Sequence, residues 1–237
     1  MTHETVALIV AGGISARVGH VVPKPYIKVG GRAILDLILS EFLSHPLIDR
    51  VKVVIHRDHS PFYKEVIDAI RPMDILFDKL LEPAYGGEYR QDSVLNGLIS
   101  LSDSCPRKVL IHDGCRPFVD REIISDVVHE LDRGAQAVDV GISIPDTIKR
   151  RGDVDVEVLD RSRLYATQTP QGFDFRTIIA LHQAMSNGRH FTDDISLCIE
   201  SGVGVMVIDG SRYNIKITER EDLVYAEYLL GKVPQKG

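Results

Sequence analysis

Cysteine is scarce in this chain: Cys105, Cys115 and Cys198 are three of 237 residues. Their spacing suits neither a disulfide framework nor a zinc-ligand set, which argues for a reducing compartment. Long apolar runs are missing as well. None approaches the ~20 residues needed to span a bilayer. The opening MTHETVALIV lacks the cationic start and long apolar core of a secretion signal. Nor is there an excess of basic residues. Lys and Arg number 28 against 34 Asp and Glu, a net charge of −6, whereas a general nucleic-acid binder is usually basic. No internal repeat, low-complexity tract or mid-chain linker interrupts the sequence. The expectation from these absences is a soluble, cytoplasmic protein that spans no membrane and binds no nucleic acid.

The length suffices for a large α/β domain whose core needs no staples. Residues 6–10 and 51–55 are apolar runs of the kind buried on both faces of a parallel sheet. Residues 33–44 repeat apolar positions with the helical period. Ser60 and Pro61 read as the cap and first-turn proline of a helix, and 75–77 as a short third strand. Segment 82–98 opens as a loop and turns helical around Ser93. A strand over 108–112 precedes a helix capped by Asp120, with Ile123, Ile124, Val127, Val128 and Leu131 on its inner face. Strands alternating with helices imply a largely parallel sheet covered on both sides.

The alternation then breaks. Residues 137–144 are extended, and 147–150 and 154–159 read as polar strands around a turn at Gly152 and Asp153. Two strands alone are marginal, so this hairpin arm, 145–163, is expected to cross onto a second copy in a homodimer. Residues 167–173 read as a loop, followed by a helix to about 187. Asp193 and Asp194 belong to the first turn of a further helix, where the macrodipole favours acids. Residues 203–208 read as a last buried strand and 214–218 as an edge strand. Thr218 and Glu221 form a capping box for a final helix closed by Gly231. Residues 1–231 are expected to form one domain, with 232–237 a tail or the start of a linker.

One stretch carries chemistry. Residues 8–24 read LIVAGGISARVGHVVPK: an apolar strand, a glycine pair at Gly12 and Gly13, then Arg17, Gly19 and Lys24. Glycines let backbone N–H groups approach anionic oxygens. Arginine adds a planar fork and lysine a compact charge. Such a loop suits the phosphates of a nucleotide. The spacing fits neither the dinucleotide fingerprint G-x-G-x-x-G nor the triphosphate loop G-x-x-x-x-G-K-[ST], which sets a dehydrogenase and a P-loop ATPase aside.

GGEYRQDSVLNGL, HDGCRPF, PDTIKR, LDRSRLYATQTPQGF, FTDD and NIKIT follow in order. With the glycine loop, they resemble the 2-C-methyl-D-erythritol 4-phosphate cytidylyltransferases over about residues 6–229, most of all the cytidylyltransferase half of bifunctional enzymes. The resemblance implies an α/β fold, a Rossmann-like three-layer sandwich with a mostly parallel sheet and a protruding β-hairpin arm. It implies transfer of CMP from CTP to a sugar-alcohol phosphate with magnesium or another divalent cation, held mainly by the CTP phosphates. On this likeness Arg17, Lys24 and Lys216 are catalytic. Ala11, Gly12, Gly13, Ser15, Gly87, Glu88, Ser93 and Asp113 bind nucleotide. Asp113, Arg116, Thr147, Arg161, Thr169 and Thr192 bind the acceptor, with Thr147 and Arg161 reaching the neighbouring subunit's site. His112 and Cys115 are assigned to packing. Ser15 stands where the family often has glycine, Pro25 replaces the usual glutamine after the lysine, and HDGCRP replaces a run with two alanines. A ribitol 5-phosphate cytidylyltransferase and a non-catalytic CTP sensor remain the alternatives.

Overall fold

Along strand β1 (Thr5–Ala11) successive side chains point to opposite sides, and both sides are buried. Ala7, Ile9 and Ala11 join one apolar cluster while Val6 and Leu8 join a second. That two-sided burial explains why the run reads as continuously apolar rather than alternating. The computed structural model describes residues 4–13, 22–70, 78–184 and 191–231. The strand predicted at 75–77 lies outside them.

Six further strands complete the main sheet: β4 (Arg50–Ile55), β5 (Ala84–Tyr85), β6 (Lys108–Asp113), β7 (Ala137–Ser143), β10 (Tyr165–Asp174) and β11 (Val205–Asp209), in the order β11-β7-β10-β6-β1-β4-β5. Pairings β1–β4, β1–β6, β4–β5 and β7–β11 are parallel, whereas β10 runs antiparallel to both β6 and β7. Helices α1 (Ile34–Ser44), α2 (Ser60–Ile70), α4 (Arg121–Asp132) and α7 (Arg220–Leu230) contribute to one apolar layer. Helices α3 (Arg90–Ile99), α5 (Phe175–Ala184) and α6 (Asp194–Glu200) contribute to the other. The result is the expected three-layer α/β sandwich. Small hairpins β2 (Lys28–Val29) with β3 (Arg32–Ala33), and β8 (Lys149–Arg151) with β9 (Val156–Val158), stand apart from the main sheet. Among the described residues no helix is long and apolar enough to cross a membrane.

Several expectations need correction. Residues 167–173 are no loop but most of β10. The apolar pattern hides this because Gln168, Thr169 and Gln171 are buried polar residues whose side chains bond to neighbouring segments. Pro170 sits where the β7–β10 register shifts between Gln168 and Gly172, a place where a missing N–H breaks no ladder bond. Residues 203–208 are not a buried strand. β11 pairs with β7 alone, leaving Met206 and Val207 nearly half exposed. Residues 214–218 form no strand; Ile217 N–H bonds to the Cys115 carbonyl at 2.9 Å in an irregular segment. Ser60 caps nothing: a short 3-10 turn, Arg57–His59, precedes α2, and the Ser60 hydroxyl donates to the Arg57 carbonyl at 2.8 Å. Asp120 occupies its cap position without a side-chain bond. The α7 cap pairs Glu219 with Asp222 in place of Thr218 with Glu221: the Asp222 carboxylate accepts from the N–H of Thr218 at 2.7 Å and of Glu219 at 2.9 Å.

Candidate active site

The carboxyl ends of the parallel strands β1, β4, β5 and β6 meet along one edge, the usual ligand-binding edge of such sheets. Ala11, Gly12 and Gly13 leave β1 there, and Asp113 ends β6. Ser15 and Arg17 lie outside the described residues. Close approach accounts for two glycines. A Cβ on Gly86 would stand 2.7 Å from the Ser93 hydroxyl, and one on Gly114 would stand 2.8 Å from the Val10 carbonyl. Gly12 packs against Gly86 and Ser93, so the glycine loop and the 86–93 segment form one wall. Within that wall the Gly87 N–H donates to the Ser93 hydroxyl at 3.1 Å, which in turn donates to the Tyr89 carbonyl at 3.1 Å. Ser93 therefore lies one turn inside α3 and shapes the loop before it. Glu88 is exposed beside it.

Asp113 collects cations. Lys216 Nζ lies 2.8 Å from its Oδ2, Arg90 Nε 3.2 Å from its Oδ1, and Arg116 Nε 3.6 Å from its Oδ2. Burial alone would raise its proton affinity, but Arg90, Lys216 and Arg116 outweigh burial and hold the carboxyl below the usual range. Lys24, in the 3-10 turn after the glycine loop, donates from Nζ to the Thr218 carbonyl at 3.1 Å. Lys24, Lys216, Arg116 and Asp113 all act electrostatically on the Cys115 thiol, which burial and Asp113 push up to about 11. Lys216 and Arg116 flank Asp113 directly, while Lys24 reaches the carbonyl of Thr218, two residues beyond Lys216. His112 is buried between the Arg116 carbonyl, 3.0 Å from Nε2, and the Thr169 hydroxyl, 3.1 Å from Nδ1. Burial pushes it down to about 4, so the ring is neutral at pH 7.

Thr169 sits behind Asp113 rather than in an open pocket. Its hydroxyl accepts from the Asp113 N–H at 3.1 Å and is buried, so it props the turn. Thr192 is exposed just before α6. Thr147 and Arg161 are exposed on the arm, where Arg161 donates to the Pro145 carbonyl; neither is tied to the Asp113 cluster by a side-chain bond.

The sequence profile of the 2-C-methyl-D-erythritol 4-phosphate cytidylyltransferases matches residues 5–232. The chain belongs to that family. It is 41% identical over 227 residues to the bifunctional IspD/IspF enzyme of Paramagnetospirillum magneticum, covering 95% of this chain and 56% of that protein. It is 40% identical over 225 residues to the 2-C-methyl-D-erythritol 4-phosphate cytidylyltransferase of Clostridioides difficile, covering 94% and 92% respectively. The crystal structure of the 4-diphosphocytidyl-2C-methyl-D-erythritol synthase of Anaerococcus prevotii superposes with a TM-score of 0.83 at 31% identity, covering 97% of this chain and 96% of that one. The chain spans just over half the length of bifunctional relatives, 56% and 57% in two cases.

Three residues that shape the site carry no assigned role in the sequence. Arg90 joins Asp113 to Asp194, with NH1 2.9 Å from Asp194 Oδ2. Asp194 had been read only as a first-turn acid. Asn214, fully buried, donates to the Thr169 carbonyl at 2.8 Å, and its own carbonyl accepts from Arg116 at 2.9 Å; it fixes the segment that carries Lys216. Arg90 lies inside the quoted GGEYRQDSV motif, so the signal was present without a role attached. A divalent ion finds little here to hold it. Among the described residues no three His, Cys, Asp or Glu side chains converge as a metal-sized group, and both Asp113 oxygens face cations.

Proposed function

We propose that this chain transfers CMP from CTP to 2-C-methyl-D-erythritol 4-phosphate, releasing pyrophosphate and 4-diphosphocytidyl-2-C-methyl-D-erythritol, a step of non-mevalonate isoprenoid synthesis. The gathering of Lys216, Arg116 and Arg90 around Asp113 at the sheet edge, with Lys24 on the carbonyl of Thr218 just beyond Lys216, carries this reading together with family membership. The chemical obstacle is repulsion between two phosphates. Unit charges ~4 Å apart at an effective dielectric of ~20 repel by about 4 kcal/mol, and several such pairs act at once. Fixed cations that meet the charge and align the reactants lower that barrier without a covalent intermediate.

In this reading the backbone of residues 11–15 cradles the triphosphate, with Arg17 and Lys24 on its oxygens. Lys216 exchanges part of its contact with Asp113 for the α-phosphate and the incoming phosphate. Asp113 then accepts from a ribose or acceptor hydroxyl. Gly87, Glu88 and Ser93 read cytosine, and Arg116, Thr169 and Thr192 border the acceptor. An acceptor phosphate oxygen attacks the α-phosphorus in line; no general base is needed, because a phosphate monoester is mostly deprotonated near pH 7. Magnesium, arriving with CTP as part of the substrate, would neutralise part of the triphosphate charge.

The same proposal makes residues 1–231 one nucleotidyltransferase unit acting in the cytoplasm as a homodimer, with the 145–163 arm crossing to bring Thr147 and Arg161 to the partner's acceptor. Exposure of Val154, Val156 and Val158 along the arm supports this, since those side chains gain burial only against another surface. The test is pyrophosphate release from CTP and magnesium, with methylerythritol phosphate and ribitol 5-phosphate run in parallel. Release with the former is expected. Equal or faster release with the latter would replace the acceptor, and none with either would remove the activity.

A further inference from the structure

Arg90 opens α3, yet its side chain leaves that helix and ties together two distant acids. Nε faces Asp113 at the end of β6 and NH1 faces Asp194 in the first turn of α6, at 3.2 and 2.9 Å. Asp194 is only 2% exposed and also lies 3.0 Å from His182 Nε2, which is equally enclosed. A second tie runs beside the first: the Phe191 N–H donates to the Gln91 side chain at 3.1 Å. A third comes from β10, where Gln171 Nε2 donates to Asp193 at 2.7 Å and Gln171 Oε1 accepts from the Asp194 N–H at 3.2 Å. Thr192 is thus an exposed residue in a segment anchored at 191, 193 and 194.

We propose that Arg90 is a positioning residue for the acceptor half of the site, holding Asp113 and the Thr192 segment at a fixed separation. This rests on the proposed function with Asp113 contacting the acceptor hydroxyl, not the ribose, and with Thr192 as the second acceptor contact. The planar guanidinium suits the task because it directs separate N–H donors at two carboxylates at once. A lysine ammonium keeps the charge but lacks that rigid fork. The nucleotide wall does not depend on the Arg90 side chain, since the Gly87–Ser93–Tyr89 bonds close among themselves. Loss of the clamp is therefore felt by the acceptor and not by CTP.

The experiment compares wild type, Arg90→Lys and Asp194→Asn by steady-state kinetics with methylerythritol phosphate, by calorimetric titration with CTP and magnesium, and by thermal melting. Arg90→Lys is expected to lower kcat/KM for the acceptor on the order of tenfold to a hundredfold, the scale of a misplacement of about 1 Å. Its CTP dissociation constant should stay within about twofold. Asp194→Asn keeps the Arg90–Asp113 contact and should show the same pattern more weakly, which also serves if Arg90→Lys does not fold. Unchanged acceptor kinetics in a folded variant, or equal losses for acceptor and CTP, would overturn the role of Arg90. A wild-type protein that turns over no methylerythritol phosphate would instead overturn the function on which it rests.

Discussion

Asp113 shows how a single residue is defined by its surroundings. Its carboxylate and that of Asp194 are buried, and both are held below the usual range: burial raises their proton affinity, but cationic neighbours, Arg90 foremost, more than reverse it. In the unfolded chain such carboxyls titrate near ~3.9. Stability from these pairs is therefore complete above that value and is lost as the pH falls through it toward the lower folded values. Asp139 contributes with the opposite sign, because burial lifts it above its ordinary range despite bonds from Thr167, Tyr165 and Gln171. Melting temperature is expected to drop as the pH falls below about 4, with a shallower drop in Asp194→Asn. Equal slopes in the two proteins would show that the Arg90 clamp does not set acid stability. Lys216 gives a second test at this scale. Removing a charge aimed at the transition state typically costs about 10²–10³ in kcat. Lys216→Met should lose turnover on that scale while still folding, with a lower Tm because Asp113 loses a partner; a loss under threefold would remove it from the chemistry.

At the scale of elements, β10 is the least expected piece. Its antiparallel run between two otherwise parallel neighbourhoods places Thr169 and Gln171 behind the site, and Gly172 beneath α4. A Cβ at 172 would collide with Val127 and press on Leu131 at 3.1 Å. Gly172→Ala is thus expected to destabilise by about 1–3 kcal/mol, a fall of several degrees in Tm for a chain of this size. A Tm equal to wild type would mean that α4 shifts without strain. The arm behaves differently. β8 and β9 are three residues each and exposed along their whole length; two strands alone are marginal, so the proposed partner contact would stabilise them.

For the whole molecule, that dependence predicts assembly. Light scattering should give twice the chain mass, and Val156→Asp with Val158→Asp should shift it toward monomer and lower acceptor turnover together. A fully active monomer would separate the arm from catalysis. Legibility followed the same logic of context. β1, β4, α1 and the inner face of α4 were readable because burial on known faces imposes apolar periodicity. β10 was not, because its buried polar side chains are satisfied by partners 22 to 57 residues away, such as Asp193 for Gln171, Asn214 for Gln168 and His112 for Thr169.

By its own order of residues the chain determined the alternation of strand and helix, the glycine loop at the head of β1, the polar arm, and the family motifs that point to nucleotide chemistry. Only tertiary structure decided that Lys216 and Arg116 flank Asp113 with Lys24 on the Thr218 carbonyl, that Arg90 spans from α3 to Asp194, and that a polar segment fills the middle of the sheet. Periodicity records which way a side chain faces within its own element. The attraction of opposite charges across a low-dielectric interior depends on distance, and distance is settled only when remote segments pack.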